Sequence, residues 1–288
     1  MAAQKTTYGI IGYPLKSSLS PLMHNTAFKE LGVDAVYKIF SLKEDQFPDF
    51  FSDLREKTNP IFGLNVTVPY KEKVISYLDT LSPFAEKVMA VNTIVINKER
   101  RLIGYNTDGP GFLSHLTELK FDTKGKRVVM LGAGGTARAI LAVLCLLPNR
   151  PEGIKIYNRT PENLDRLIED LSTRIDLSIV ETVNSVDDLN IELADFLINT
   201  TSLGMKEGDQ CLINEELFHS NLLVYDVIYN PPETKFLKMA RKRGAKTVNG
   251  LGMLFYQGVL AFQHWSNIQL DERVKAKMRE SLTKGLKP

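Results

Sequence analysis

A polar segment at residues 65–71 (NVTVPYK) contains side chains that could take part in proton transfer. Asn65 and Thr67 would share one face of a strand, because side chains alternate along a strand. Pro69 would end the strand, and Lys71 would lie in the first turn of a helix from Tyr70, where its charge opposes the helix dipole. An ammonium group placed there could exchange a proton with a substrate oxygen. A solvated surface lysine is the competing interpretation.

Three further segments supply hydroxyl, amide and carboxylate groups: residues 18–21 (SLSP), 90–93 (AVNT) and 104–109 (GYNTDG). Ser20 is expected to cap a helix that has Pro21 at its first position. Asp108 could lie in a cleft or could cap the next helix. Together with Lys71, these groups suit a small molecule that carries several hydroxyls and a carboxylate.

A glycine-rich loop follows the apolar residues 127–131 directly and opens a helical run over 138–146. Its sequence, GAGGTA at 132–137, fits the pattern G-x-G-x-x-A. Gly132 permits a tight turn, Gly134 lets the backbone approach a pyrophosphate, and Ala137 allows close packing of helix and strand. The free N–H groups of the helix N-terminus would bind the phosphates. The sequence therefore predicts a dinucleotide site here.

The end of the next strand indicates which dinucleotide binds. An Asp or Glu at this place would accept a hydrogen bond from the ribose 2′-hydroxyl of NAD. The chain has Asn158, Arg159 and Thr160 instead, and a guanidinium attracts the 2′-phosphate that a carboxylate would repel. The sequence therefore favours NADP over NAD, with a solvated surface arginine as the alternative interpretation of Arg159.

Alternating strands and helices predict an α/β protein of two domains. In the first half, strands are expected at 8–12, 36–40, 62–67 and 93–96, in a mainly parallel sheet, with a helix at 46–56. In the second half, they are expected at 127–131, 154–157, 196–199, 222–226 and 247–248. The tail, 253–282, has a helical pattern and is expected to pack back on the first domain. The predicted divisions are 1–108, a substrate domain, 109–250, a Rossmann-like domain, and 251–288, the returning helices.

The composition is that of an ordinary globular protein, with 288 residues, 43% hydrophobic and 24% charged. A net charge of +2 gives no basic field for nucleic acid or an anionic membrane. Cys145 and Cys211 lack the spacing of a disulfide framework or a zinc site, and the four histidines are scattered, so no metal is expected. With no signal sequence at the N-terminus and no membrane-spanning run, the expected location is the cytoplasm.

The order of these segments resembles that of the shikimate dehydrogenase family. The resemblance also includes 158–160 (NRT), 199–204 (NTTSLG), 226–231 (DVIYNP), 249–253 (NGLGM) and Gln257. Together, the segments extend from Tyr8 to about Trp265, which is nearly the whole chain. The resemblance implies reversible, NADPH-dependent reduction of 3-dehydroshikimate to shikimate in aromatic amino acid (chorismate) biosynthesis.

The resemblance also assigns roles to individual residues. It implies that Lys71 and Asp108 form the catalytic pair and that Ser18 and Ser20 hold the substrate carboxylate. The substrate-binding residues that it implies are Ser18, Ser20, Asn65, Thr67, Lys71, Asn92, Asp108, Tyr229 and Gln257. The cofactor-binding residues that it implies are Gly132, Ala133, Gly134, Gly135, Thr136, Ala137, Asn158, Arg159, Thr160, Thr200, Thr201, Ser202, Val227, Gly250 and Met253.

Two alternatives remain open. A relative that oxidises quinate or uses NAD would share most of these segments, although Ser18, Thr67 and Arg159 favour shikimate and NADP. A non-catalytic NADP-binding regulator would be expected to lack Lys71 or Asp108, and both are present. The sequence does not distinguish a monomer from a homodimer.

Overall fold

The computed structural model describes residues 5–286. The chain divides into two compact units. We call the residues up to Gly111, together with those from Phe255 onwards, unit 1, and we call Phe112–Leu254 unit 2. Each unit contains one β-sheet with helices packed on it, so the predicted α/β class is confirmed.

Unit 1 contains a six-stranded sheet whose strands are separated by short helices. Its strands are β1 (Thr6–Gly12), β2 (Ala35–Ser41), β3 (Ile61–Val66), β4 (Thr80–Leu81), β5 (Thr93–Ile96) and β6 (Leu102–Tyr105). Its helices are α1 (Ser20–Glu30), α2 (Phe47–Asp53), α3 (Pro83–Val88) and the start of α4 (Asp108–Glu118), with 3₁₀ helices at Glu44–Gln46 and Lys73–Tyr77.

The sheet of unit 1 is mixed, with the strand order β2-β1-β3-β5-β6-β4. Strand β1 is parallel to β2 and β3, whereas β5 is antiparallel to both β3 and β6. The sheet is therefore mainly parallel, as predicted, and β5 is the antiparallel exception. The connection at 97–101 is too short for the crossover that parallel neighbours require. As a result, the carboxyl ends of β1, β3 and β6 and the amino end of β5 meet at one edge.

Two local predictions in unit 1 were wrong, and two strands were not predicted. Residues Lys71 and Glu72 form a turn before a 3₁₀ helix, rather than the start of an α-helix from Tyr70. The N-cap of α1 is Leu19, and Ser20 is its first helical residue, with its N–H 3.1 Å from the Ser18 hydroxyl. The short strands β4 and β6 were not predicted, because β4 has only two residues and β6 is interrupted by Gly104.

Unit 2 contains six strands and three further helices that alternate along the chain. The strands are β7 (Arg127–Leu131), β8 (Gly153–Tyr157), β9 (Val180–Val183), β10 (Phe196–Asn199), β11 (Leu223–Asp226) and β12 (Lys246–Val248). The helices are α5 (Gly135–Cys145), α6 (Pro161–Ser172) and α7 (Lys235–Lys242), with 3₁₀ helices at Val186–Leu189, Ile191–Leu193 and Glu215–Leu217. Among these strands, only β9 was not predicted.

All neighbouring strands in unit 2 are parallel, and their order is β12-β11-β10-β7-β8-β9. The chain leaves β7 towards one side of the sheet and returns to β10 on the other. Such a reversal opens a crevice at the carboxyl ends of the two central strands, where doubly wound folds bind dinucleotides. The predicted Rossmann-like architecture is confirmed.

The tail forms α8 (Leu251–Ser266) and α9 (Glu272–Gly285), and residues from Phe255 onwards belong to unit 1. The indole N–H of Trp265 donates to the carbonyl of Ile94 at 2.9 Å. The ring fills the space above Gly63, where a Cβ would lie 2.3 Å from its Cδ1. Helix α9 packs on α1 and buries Val274 and two other apolar side chains. The tail therefore packs back on the first part of the chain, as predicted.

Among residues 5–286, no helix is both long enough and apolar enough to cross a bilayer. The expectation that the N-terminus lacks a signal sequence concerns residues 1–4 in part, and these lie outside the described residues.

A histidine without hydrogen-bond partners lies in the interior of unit 1. The ring of His24, on α1, is fully buried and stacks on the ring of Tyr37 at a centroid distance of 4.5 Å. Phe262 and Trp265 pack around the same ring. Neither ring nitrogen has a hydrogen-bond partner among the described residues. Burial lowers the pKa of His24 to about 3, so the folded protein keeps it neutral.

We predict that His24 makes the protein sensitive to acid. Its pKa rises from about 3 in the folded chain to an ordinary 6.5 on unfolding, so the unfolded chain takes up the proton first as the pH falls. The contribution of neutral His24 is complete above pH 6.5 and is lost progressively below it. Between pH 6.5 and about 5, the free energy of unfolding should fall by about 2 kcal/mol from this group.

The variant His24→Leu, of similar volume, should lose that part of the pH dependence. Urea unfolding of both proteins at a series of pH values measures it. Parallel curves for wild type and variant would contradict the prediction, as would a C–H proton resonance of His24 that titrates near neutral pH in the folded protein.

Candidate active site

Lys71 and Asp108 form an ion pair at the edge of the unit 1 sheet. The Lys71 ammonium lies 2.5 Å from Oδ2 of Asp108, and the two side chains are 12% and 8% exposed. Lys71 lies in the turn after β3, and Asp108 is the first residue of α4, directly after β6. The two groups meet because β3 and β6 end at the same edge of the sheet. Their burial removes most of the solvent screening that weakens surface ion pairs.

The carboxamide of Asn92 fixes the orientation of the Asp108 carboxylate. Its Nδ2 donates to Oδ1 of Asp108 at 2.9 Å, which leaves Oδ2 for Lys71. The same amide lies 2.9 Å from the Thr107 hydroxyl and 3.3 Å from Oε1 of Gln257, on α8. The side-chain oxygen Oδ1 of Asn92 accepts from the backbone N–H of Thr107 at 2.7 Å. Asn92 is 2% exposed, so these hydrogen bonds replace the ones that its amide would make to water.

Asn65 and Tyr37 form a second set of buried hydrogen bonds that holds Asn92 in place. Asn65 donates through Nδ2 to the backbone carbonyl of Asn92 at 3.1 Å and to the Thr93 hydroxyl at 3.2 Å. The Tyr37 hydroxyl donates to Oδ1 of Asn65 at 2.7 Å. Asn65 is 4% exposed, so its amide serves this internal network in the described structure. The sequence placed Asn65 correctly on a strand but did not indicate that its partners would be protein atoms.

Three residues of this network were not predicted as site residues: Tyr37, Thr93 and Thr107. Thr93 and Thr107 adjoin predicted positions, and a polar residue inside an otherwise buried strand such as β5 is a usable signal. Tyr37 gave no signal, because its place in the alternating pattern of β2 is typical of a core residue. Its hydroxyl reaches Asn65 only through the pairing of β1 with both β2 and β3.

Asp108 does not cap α4 with its side chain. The cap is Asn106, whose Oδ1 accepts from the backbone N–H groups of Asp108 at 3.1 Å and Gly109 at 3.3 Å. Asn106 is itself anchored by a bond from Nδ2 to the carbonyl of Ala90. The carboxylate of Asp108 is therefore left for Lys71 and Asn92, which excludes the helix-cap interpretation.

The remaining predicted substrate residues lie in two places. Ser18, Ser20 and Thr67 lie in the segments that follow β1 and β3, at the edge of unit 1 that carries Lys71. Thr67 is half-buried, and its methyl group occupies the space next to Gly12. Tyr229 belongs to unit 2, in the segment after β11, and burial raises its pKa.

The glycine loop of unit 2 has the geometry of a phosphate site. Gly132 adopts φ +111°, which L side chains rarely adopt, and a Cβ there would lie 2.5 Å from the Thr200 hydroxyl. Gly134 is the N-cap of α5. It has no side chain that could cap the helix, and the space where a Cβ would be is open. The first turn of α5 thus presents its backbone N–H groups at an edge that an anion can approach, as in phosphate sites at helix N-termini. Gly135, Thr136 and Ala137 form that first turn, and Ala137 is fully buried against the sheet.

The loops after β10, β11 and β12 lie at the same edge of the unit 2 sheet. The Thr200 hydroxyl donates to the carbonyl of Leu131, which fixes it beside Gly132. Gly250 lies so close to Val227 that a Cβ would come within 1.9 Å of the Val227 carbonyl oxygen. The parallel sheet therefore brings together five predicted cofactor residues after three of its strands: Thr200, Thr201, Ser202, Val227 and Gly250. Met253 lies one turn further on, buried in α8.

Asn158, Arg159 and Thr160 connect β8 to α6. The side-chain amide of Asn158 donates to the Thr160 carbonyl at 2.8 Å, which shapes the turn. Thr160 is the N-cap of α6 but makes no side-chain cap bond, and both it and Arg159 are exposed. A guanidinium, a hydroxyl and a helix N-terminus are thus adjacent at the edge that carries the glycine loop. This donor set fits the 2′-phosphate of NADP.

Taken by themselves, the two sites support different chemistry. Unit 1 offers a buried ammonium–carboxylate pair that can hold or move a proton, and unit 2 offers a donor-rich edge for a dinucleotide. Among residues 5–286, no group of three or more His, Cys, Asp or Glu side chains could hold a metal ion.

Comparisons with known proteins show to which family the chain is similar. A family model for the shikimate dehydrogenase substrate binding domain matches residues 10–94, and one for the shikimate 5′-dehydrogenase C-terminal domain matches residues 250–283. The chain is 43% identical over 273 residues to a curated relative, shikimate dehydrogenase (NADP(+)) of Carboxydothermus hydrogenoformans. That alignment covers 93% of this chain and 94% of the relative.

Two solved structures are similar over nearly their whole length. Shikimate 5-dehydrogenase from Thermus thermophilus, in complex with NADP(H) and shikimate, has a TM-score of 0.82 and 33% identity, covering 97% of this chain and 99% of that one. Quinate dehydrogenase from Corynebacterium glutamicum, in complex with NAD, has a TM-score of 0.87 and 28% identity, with coverages of 97% and 99%. The fold is therefore shared by proteins named for two different substrates.

Proposed function

Since the chain belongs to the shikimate dehydrogenase family, we propose that it catalyses the reversible reduction of 3-dehydroshikimate to shikimate with NADPH. It is thus an NADP-dependent oxidoreductase of aromatic amino acid biosynthesis that acts on a CH–OH group. The observation that carries the proposal is the buried pair of Lys71 and Asp108, which Asn92 orients.

The pair accounts for the proton in this reaction. Reduction of a ketone adds a hydride to carbon and a proton to oxygen, and NADPH supplies the hydride when bound. The Lys71 ammonium donates the proton to the developing alkoxide and stabilises its negative charge before transfer. In the reverse direction, the neutral amine accepts the proton from the substrate hydroxyl. Asp108 keeps the ammonium in place through Oδ2.

The other polar groups of unit 1 are assigned to the substrate. Ser18 and Ser20 hold its carboxylate, since hydroxyls can donate to both of its oxygens. Thr67, Asn92 and Gln257 bind its ring hydroxyls, and Tyr229 of unit 2 is assigned to the same substrate by the resemblance. Asn65 acts mainly through Asn92, because its amide already bonds to Tyr37, Thr93 and the Asn92 carbonyl.

The residues of unit 2 are assigned to NADP. The first turn of α5 binds the pyrophosphate, and Arg159 with Thr160 binds the 2′-phosphate. The loops that contain Thr200–Ser202, Val227, Gly250 and Met253 line the remainder of the dinucleotide. We assign residues 1–108 and 251–288 to the substrate domain with its returning helices, and residues 109–250 to the cofactor domain. The protein is proposed to act in the cytoplasm, as a monomer or a homodimer.

A four-way assay tests the function against its nearest rival. Oxidation of shikimate and of quinate is measured separately with NADP⁺ and with NAD⁺, by the absorbance of the reduced nicotinamide. The highest kcat/KM should be that for shikimate with NADP⁺. NADP⁺ is expected to be preferred because Arg159 can bind its 2′-phosphate, which NAD⁺ lacks. Faster oxidation of quinate with NAD⁺ would instead make the chain a quinate dehydrogenase, the activity for which one structural relative is named.

Replacing Lys71 should abolish most turnover while leaving the cofactor site intact. For Lys71→Ala, we expect kcat to fall by a factor of about 10² to 10⁴, the usual contribution of a general acid or base. The dissociation constant of NADP⁺ should change by less than about twofold, because Lys71 lies in the substrate domain. Steady-state kinetics and titration calorimetry measure the two quantities.

The matched control is Lys73→Ala. Lys73 is exposed, lies two residues further along, and pairs with Glu44 at the surface. It should keep the turnover of the wild type. Wild-type turnover in Lys71→Ala would remove Lys71 from the proton transfer.

Replacing Arg159 should weaken the preference for NADP⁺ over NAD⁺. For Arg159→Ala, the KM for NADP⁺ should rise by about tenfold or more, the size of one lost charge-assisted bond to phosphate. The KM for NAD⁺, which has no 2′-phosphate, should stay nearly constant. Arg166→Ala, at an exposed position of α6, is the control and should preserve the preference. An unchanged preference in Arg159→Ala would show that the guanidinium is only a solvated surface group.

A further inference from the structure

Asp226, the last residue of β11, is a fully buried carboxylate to which the proposed function assigns no role. It begins the segment 226–231 (DVIYNP), which contributed to the sequence resemblance. Burying a charged group is unfavourable unless hydrogen bonds replace its hydration. The bonds that Asp226 makes therefore indicate what the carboxylate is for.

Three donors from three different parts of unit 2 converge on this carboxylate. Oδ1 accepts from the side-chain amide of Asn199 at 3.0 Å and from the backbone N–H of Ile228 at 3.1 Å. Oδ2 accepts from the Thr234 hydroxyl at 2.7 Å. Asn199 ends β10, Ile228 lies in the segment after β11, and Thr234 is the N-cap of α7. One side chain thus ties two neighbouring loops and a helix start together.

Asn199 extends the connection into the loop after β10. Its Oδ1 accepts from the backbone N–H of Thr201 at 3.1 Å and from the Thr201 hydroxyl at 2.7 Å. The Thr201 hydroxyl in turn accepts from the backbone N–H of Leu203 at 3.1 Å. Nδ2 of Asn199 donates to Asp226, and Oδ1 accepts from Thr201. A rotation that exchanged Nδ2 and Oδ1 would therefore break the hydrogen bonds of both atoms. The conformation of residues 199–203 therefore depends on Asp226.

The loop after β10 also packs directly on the α7 cap. Gly204 adopts φ +111°, and a Cβ there would lie 3.2 Å from the side chain of Thr234. The Thr234 hydroxyl accepts from the backbone N–H of Leu237 while it donates to Asp226. A carboxylate suits this position better than an amide, because all three neighbours donate and an amide has only one accepting atom.

We propose that Asp226 is a positioning residue for the cofactor: it holds the loops 199–204 and 226–234 in the conformation that receives NADP. The inference rests on the proposed function for the identity of the dinucleotide. These loops contain Thr200–Ser202 and Val227, which are assigned to the cofactor, whereas Asp226 itself is sealed beneath them. Burial raises the pKa of Asp226 to about 6, so the carboxylate is ionised at the pH of the assay below.

The test compares Asp226→Asn with wild type at about pH 8, where the carboxylate is charged. Titration calorimetry gives the dissociation constant of NADP⁺, and steady-state kinetics give kcat and the KM for shikimate and for NADP⁺. In the variant, the dissociation constant and the KM for NADP⁺ should rise about tenfold, as expected for weakened bonds to a charged acceptor. The value of kcat at saturation and the KM for shikimate should change by less than about threefold.

Two further variants make the test specific. Asp195→Asn removes a half-buried carboxylate that accepts from the Arg127 backbone N–H at the opposite edge of the same sheet, and it should bind NADP⁺ as wild type does. Thr234→Val removes one of the three donors without changing the carboxylate. Its effect on NADP⁺ binding should not add to that of Asp226→Asn in the double variant, because both break the same connection.

The outcomes separate the inference from the proposed function. If Asp226→Asn melts at a lower temperature but binds NADP⁺ as tightly as wild type, the residue is only structural and the inference is overturned. If Asp226→Asn does not fold, Thr234→Val decides by the same criterion. If the wild type binds NADP⁺ but does not oxidise shikimate, the proposed function fails, while the binding measurements still test the inference.

Discussion

The carboxamide of Asn92 donates to the Asp108 carboxylate and accepts the backbone N–H of Thr107, so it keeps both bonds only in one register of β5 against β6. A slip of one residue would turn every side chain of β5 to the opposite face of the sheet. It would also leave Asn92, Thr107 and Asp108 buried without partners, at a cost of about 1–3 kcal/mol for each group. The requirement to satisfy these groups and the requirement to aim the Asp108 carboxylate at Lys71 therefore select the same strand register.

The parts of the molecule that the sequence predicted well are those in which the relevant residues are neighbours in the chain. The glycine loop of unit 2 joins one strand to the next helix, and Arg159 follows the strand after it, so pattern and spacing were sufficient. The helical tail was also predictable from its periodicity. The β5–β6 hairpin was not, because Gly104 interrupts the pattern of β6 and the direction of β6 is fixed by the short connection at 97–101.

The site in unit 1 was harder to predict from the sequence than the glycine loop of unit 2. Asn92 precedes a strand, and in a parallel sheet that position would lie at the edge opposite to Lys71. Only the antiparallel direction of β5 brings the two to the same edge. The sequence resemblance placed Asn92 in the site, whereas the sheet predicted from the sequence would have placed it elsewhere. The role of Tyr37 could not be predicted from the sequence either, since it depends on the pairing of three strands. The carboxylate of Asp226 presents the same difficulty in unit 2, where its partners Asn199 and Thr234 are distant in sequence.

The division of unit 1 along the chain has a consequence for biosynthesis. Synthesis proceeds from the N-terminus, so all of unit 2 is made after residue 111 and before residue 255. The contacts of unit 1 are complete only once α8 has been made, since its Trp265 covers Gly63 and its Gln257 bonds to Asn92. Unit 2 has its whole parallel sheet available earlier. Unit 1 is therefore begun first during synthesis, but it can be completed only after all of unit 2 has been made.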